Sequence, residues 1–287
     1  MHESSHSSGY AYRKTKGRIF EGLCMLAAFA GVGVLIAIFI YIALKGIGAI
    51  NMAFFTKTPV PVGETGGGIS NAIVGTLLIV GIAAVIALPI GIGAGTYLAE
   101  FGRGRFADLV RLLADVLTGV PSIVVGILAY ELVVTRMHHF SAYAGGIALA
   151  ALMLPPIVRT TEEILRLVPR EYTEAALALG APRWRTVLRI VYPAAQGGLI
   201  TGVMLALARA SGETAPLLFT AFGNTFWNLN PNQPTSALPL QIYQYAISPY
   251  DDWHRQAWAA ALVLVVLVFV LSACARIATR KSTVGRS

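Results

Sequence analysis

The chain has 287 residues, of which 56% are hydrophobic and only 13% charged, with a formal net charge of +8. A soluble domain carries roughly 25% charged residues, so the composition excludes an ordinary soluble protein and requires lipid against much of the surface. The positive charge does not point to nucleic acid, because the basic residues sit between apolar runs in a pattern that a membrane topology explains.

A hydrocarbon core of about 30 Å takes about 20 apolar residues in helical form. Six runs meet that length: 22–44, 69–99 (with Pro89), 112–130 (with Asp115), 142–158, 190–208 extending toward Phe222, and 256–275. The expected fold is an all-α membrane protein of about six transmembrane helices. Residues 1–20 form an N-terminal tail, 21–68 the first span and an outside loop, 69–276 a core, and 277–287 a C-terminal tail. The first run is too long for a signal peptide and is followed by no small-residue cleavage pattern. Cys24 and Cys274 lie inside apolar runs as small hydrophobes, and two isolated cysteines make no metal or disulfide framework.

With six spans and both termini on one side, segments 13–18, 103–111, 159–189 and 276–286 share that side and hold most of the Lys and Arg; Lys45, Lys57, Arg136 and Arg255 fall on the other. The positive-inside rule makes the basic side cytoplasmic. Segment 46–68 is then an outside loop. Its run Gly66, Gly67 and Gly68 lacks the Lys and Ser/Thr pair of a phosphate-binding loop. Segment 223–254 is the longest outside stretch, with Trp227, Asn228, Asn230 and Asn232 before an amphipathic stretch at 238–247. It fits either an aromatic belt at the headgroups or a surface for a partner.

The most informative cytoplasmic stretch is 171–193, EYTEAALALGAPRWRTVLRIVYP. Glu174 to Leu177 begin a helix, Gly180 and Pro182 break it, and a second helix starts at Trp184. The order Glu174-Ala175-Ala176, Gly180, Ile190 and Pro193 resembles the EAA loop of bacterial ABC importer permeases, with Tyr192 where that family usually has Leu. The resemblance implies that Glu174, Ala175, Ala176 and Gly180 dock on a separate ATPase subunit. No Walker motif is present, so the chain is expected to be no enzyme and to bind no cofactor, ATP and Mg being used by the partner ATPase.

The segment 209–218, RASGETAPLL, sets two opposite charges deep in the fifth apolar run. If that helix starts near Ala194, Arg209 lies roughly 22 Å along it. An ionisable group at such depth is costly and faces a cavity or a partner. Glu213 is four residues on and within pairing distance. The pair reads either as a structural ion pair or as an anion path in which Arg209 offers a fork of donors and Glu213 neutralises it when the path is empty. Pro121 and Ser122 interrupt the third run, either as a packing kink or with Ser122 lining the same path. Arg159 with Glu162 or Glu163 is expected to form a brace or coupling contact. Asp115 and Glu131 stand about 24 Å apart if the third run is one helix. His138 and His139 are adjacent and point apart, which excludes a metal pair.

The stretches around Arg209 and Glu213, GVPSIVVGI at 119–127 and LPPIVRTTEE at 154–163 resemble the PstA-type phosphate-specific permeases, with similarity running from about residue 69 to 276. This resemblance implies a type I ABC importer permease-like bundle in the bacterial inner membrane, with both termini cytoplasmic. It further implies a related second permease (PstC-like), two ATPase subunits (PstB-like) and an extracytoplasmic phosphate-binding protein (PstS-like), with lipid around the spans and no nucleic acid. Sulfate, molybdate or phosphonate import, and a stand-alone secondary anion carrier, are the rival expectations.

Overall fold

The computed structural model describes residues 5–284, so the extreme ends of both expected tails, and the side chain of Cys274, lie outside the described residues. Five helices are long and apolar enough to cross a membrane, or six if one bent pair counts as a single span. Among the described residues there is no β-strand, only an isolated bridge between Phe222 and Thr235. The all-α membrane fold expected from composition is the fold observed.

Helix α1 (Ser5–Gly46) starts well before the apolar run, drawing residues expected in the tail into one 42-residue helix. It stands off from the bundle with Phe20, Phe29 and Leu44 exposed, and packs on α11 (Asp251–Val284) near its C-terminal end. There Tyr41 meets Trp258 edge to face at 5.3 Å. A Cβ on Gly46 would come within 2.6 Å of the Trp258 carbonyl oxygen. The loop that follows contains α2 (Met52–Thr56), capped by Asn51, which accepts from Phe54 N at 2.9 Å. Its glycine run folds back on the protein: Gly68 N donates to Thr58 O, and Gly66 O accepts from Gln256 Nε2 at 2.7 Å.

The centre is α3 (Ser70–Phe101) against α6 (Ala142–Arg166). Glycines let the two backbones approach, as small residues do in lipid, where no hydrophobic force drives helices together. Cβ atoms on Gly91, Gly95 and Gly146 would fall within 2.6 Å or less of Ile157, Thr161 and Ile82 side chains. Ile79, Ala83, Leu149, Met153 and Ile157 form the buried core here. Thr76 on α3 accepts from Leu238 N at 2.8 Å, anchoring α10 (Leu238–Ala246) across the end of the bundle. That helix matches the amphipathic stretch seen in the sequence.

The third expected span is not one helix. It is α4 (Arg105–Gly119) and α5 (Ser122–Met137), bent by 105° at Val120 and Pro121. Proline forces the preceding residue out of the helical region, and Val120 is extended at φ −71°, ψ 129°. The 24 Å separation of Asp115 and Glu131 falls with the single helix, since the two residues are on opposite sides of the bend.

Candidate functional site

Two helix breaks and one loop carry the residues singled out by the sequence. The loop is α7 (Arg170–Ala178), then a turn, then α8 (Arg183–Ser211). Gly180 stands at φ +82°, where Ala181 N donates to Ala176 O at 3.1 Å and Gly180 N to Leu177 O at 2.9 Å. This paired closure needs a residue in the left-handed region, which glycine adopts without a Cβ clash. The break expected at Gly180 and Pro182 is therefore where the helix stops. Glu174 and Ala175 are exposed, whereas Ala176 turns inward and is buried. On the same loop Tyr172, Leu179 (90% exposed) and Trp184 are large apolar side chains left exposed.

The second break ends α8. Ser211 is its last residue, and α9 (Ala215–Thr220) follows after Gly212, Glu213 and Thr214. Arg209 sits in the last turn of α8 and Glu213 just ahead of α9, so each charge opposes the partial charge of the helix end beside it. They pair from Nε to Oε1 at 3.5 Å, with the Arg209 side chain 62% exposed and that of Glu213 18%. The helix starts at Arg183 rather than near Ala194, through a π-helical turn at Val187–Val191.

Helices α5 and α9 pack closely: a Cβ on Gly126 would meet Pro216 Cα at 2.6 Å. Farther along both, Tyr130 lies 6.1 Å from Phe140, which stacks on Phe222 at 4.6 Å. The two short helices thus run the same way, with Ser122 and Glu213 at the same end of the pair. Ser122 is half-buried in the first turn of α5, and makes no recorded hydrogen bond to Arg209 or Glu213 among the described residues. Phe222 itself has φ +62°, an uncommon conformation for a bulky residue, and its N–H donates to Leu217 O at 3.0 Å.

A cluster that the sequence only half disclosed centres on Glu162 of α6, whose side chain is 3% exposed. It accepts from Arg111 Nε of α4 at 2.8 Å and pairs with Arg166 at 2.6 Å, while Arg159 Nη1 lies 3.6 Å away. Arg159 also pairs with Asp115. Of the two expected partners Glu162 is the one used, and Glu163 is exposed. Arg111 was missed because it lies 51 residues from Glu162, and only the bend at Pro121 swings α4 onto α6. At the opposite end, successive Asn side chains cap the 223–236 loop. Phe226 N donates to Asn224 Oδ1 and Asn230 N to Asn228 Oδ1, leaving Phe226, Trp227 and Leu229 exposed at the tip.

Residues 87–283 match the family of binding-protein-dependent transport system inner membrane components. The chain is 46% identical over 270 residues to the phosphate transport system permease protein PstA of Haemophilus influenzae, covering 93% of this chain and 95% of that one. It is 49% identical over 237 residues to the PstA of Xylella fastidiosa, covering 81% of each. Its fold is similar to that of a chain in a bacterial alginate ABC transporter crystallised with an alginate-bound periplasmic protein, at a TM-score of 0.64 and 13% identity, covering 92% of this chain and 96% of that one.

Proposed function

The chain belongs to the binding-protein-dependent transport system inner membrane components and, among them, to the PstA phosphate permeases, and on that premise we propose that it is the permease subunit of an ATP-driven importer of inorganic phosphate. The observation that carries this reading is similarity to PstA along nearly the whole chain. In this reading both termini and α7 are cytoplasmic, and the chain pairs with a related second permease of PstC type. Two PstB-like ATPase subunits hydrolyse ATP with Mg, and a PstS-like binding protein delivers phosphate at the 223–236 end.

The geometry supports a division of labour. Glu174, Ala175 and Gly180, with the exposed Tyr172, Leu179 and Trp184, form the surface that meets the ATPase. Ala176 holds α7 down on the bundle. Arg209 is the path residue: its guanidinium comes within 3.5 Å of Glu213 but its side chain is 62% exposed, so it can offer two parallel donors to a phosphate oxygen pair. Glu213 holds it only loosely, which lets phosphate exchange with the carboxylate instead of lodging permanently. Ser122, at the free N–H end of α5, adds donors on the same side.

The test is uptake of labelled phosphate into proteoliposomes containing the chain with its permease, ATPase and binding-protein partners. Uptake requires ATP, resists sulfate, and falls by an order of magnitude or more in Arg209→Gln while the complex stays assembled. Uptake by the chain alone, driven by a pH gradient, would overturn the reading.

A further inference from the structure

An open cavity of about 490 Å³ lies away from the Arg209 break, lined by the end of α3, the turn at Gly102 and Arg103, the end of α6, α7 and the start of α8. Its charged lining is Glu100, Arg103, Arg166, Arg170, Glu174 and Arg183. Arg166 is matched by Glu162 at 2.6 Å. Arg103, Arg170 and Arg183 form no ion pair among the described residues, nor do Glu100 and Glu174. The floor is apolar, with Leu98 and Leu165 each 1% exposed.

Four guanidiniums against two carboxylates leave the lining net positive, and three of the four have no ion-pair partner among the described residues, which favours an anion in the concavity. All the cations are Arg and none is Lys. A planar fork of donors suits the oxygens of a phosphate group better than a point charge does. The volume is that of a small-molecule site, which typically runs about 300–1,000 Å³. The position is where the spans end, with Leu167 exposed beside it. Basic pockets between membrane helices on the cytoplasmic side hold anionic head groups. The two carboxylates of the lining, Glu100 and Glu174, leave the site able to accept from the hydroxyls of a head group as well.

We infer that this cavity binds a phosphate group, from an anionic lipid head group or from cytosolic inorganic phosphate, and thereby fixes the root of the ATPase-facing loop to α3 and α6. The inference rests on the cytoplasmic placement of α7 in the proposed function. A bound phosphate bridges Arg103 at the turn after α3, Arg166 at the end of α6, and Arg170 and Arg183 on either side of the loop. Filling the site stiffens the element through which ATPase movement enters the spans, so occupancy sets the rate of coupled hydrolysis. A lipid source ties that rate to the membrane. A free-phosphate source ties it to the product already imported.

The experiment places the complete importer, wild type and R103Q/R170Q/R183Q, in nanodiscs of phosphatidylcholine with or without phosphatidylglycerol. Binding-protein-stimulated ATPase activity and retained phosphatidylglycerol by native mass spectrometry are read together. In the lipid case wild type retains phosphatidylglycerol and gains several-fold in activity, and the triple variant does neither. In the free-phosphate case, inorganic phosphate titrated onto complexes without binding protein in pure phosphatidylcholine shifts wild-type activity, and the triple variant keeps only the product inhibition intrinsic to the ATPase. If the triple variant does not assemble, R103Q alone decides, with affinity about fivefold weaker for the one guanidinium removed, while R103K recovers part of it. Equal responses of wild type and variant in both arms overturn the site. Phosphate uptake by the wild-type complex is scored separately, so failure of the site and failure of the transport reading are told apart.

Discussion

Replacing Glu162 by Gln tests whether the cluster on α6 is the brace that holds α4. The side chain is 3% exposed and faces three guanidiniums, of which Arg111 is 22%, Arg159 31% and Arg166 54% exposed. Removing one partner of a buried ion pair costs about 3–5 kcal/mol. Here each cation keeps some relief, Arg111 from Asp108 at 2.9 Å, Arg159 from Asp115, and Arg166 from water. The Arg166 share is that of an exposed pair, about 0–1 kcal/mol. The amide also sets an N–H₂ toward Arg159, donor against donor, at an oxygen that lacks a hydrogen bond already. The expected loss is about 3 kcal/mol, near the low end of the buried range, and roughly 2–4 °C of melting temperature per kcal/mol makes that about 6–12 °C. Heating the detergent-solubilised protein and following monodispersity by size exclusion measures it, with the exposed Glu163→Gln as control. A Glu162→Gln variant that melts with the control would refute the brace. So would a double variant with Arg111→Gln whose loss equals the sum of the two single losses, since residues in one network do not add.

Four further outcomes follow from particular contacts. Gly126→Val lacks room against Pro216 and is expected to abolish stable assembly, with Gly126→Ala intermediate, as judged by yield of monodisperse complex. Gly180→Ala puts a Cβ at φ +82°, costs about 1–2 kcal/mol, and reduces ATP-driven uptake more than it reduces phosphate binding by the binding protein. Thr76→Val removes the acceptor of the buried Leu238 N–H and destabilises by about 1–3 kcal/mol, a loss that Thr76→Ser does not share; melting of the purified chain distinguishes them. Tyr245, buried and pushed up to about 12 by desolvation, with a hydrogen bond to Gln241 opposing it, keeps its proton at every pH where transport is measured. Tyr245→Phe therefore leaves the pH profile of uptake unchanged between pH 6 and about 9.

The spans were legible because a window of apolar residues is a one-dimensional signal, and so were the turn at Gly180 and the break at Pro121, where one residue type dictates the backbone. What escaped was distance in sequence. Arg111 and Glu162 carry no local sign of each other, and the bend that joins them has an angle that proline permits but does not set. Arg209 and Glu213 were paired correctly as neighbours four residues apart. That the helix stops between them was not read, although Gly212 followed by Pro216 is a stop and a start in their usual order. A second helix was expected from Trp184 and a span from about residue 190, but not that the two are one continuous helix from Arg183 to Ser211, since the change from polar to apolar residues at that point leaves the backbone helical.

That last difference bears on the proposed mechanism. With its start at Arg183, α8 is one helix of 29 residues, about 42 Å long at 1.5 Å per residue, running from the loop to Arg209. It is tied sideways to α3 by the hydrogen bond between Thr96 Oγ1 and Tyr192 Oη at 2.8 Å, next to its π-helical turn. π-Turns of this kind recur at functional sites. On the proposed reading, a displacement of the loop by the ATPase is carried along this lever past the Thr96 contact and arrives at the break where Arg209 and Glu213 face each other. Because that pair is a loose one, Nε to Oε1 at 3.5 Å, a small rotation of α8 suffices to part it. Thr96→Val together with Tyr192→Phe removes this tie to α3 without touching the loop or the pair. The expected result is ATP hydrolysis retained while phosphate uptake per ATP falls, and an unchanged ratio would mean that the motion reaches Arg209 by another route.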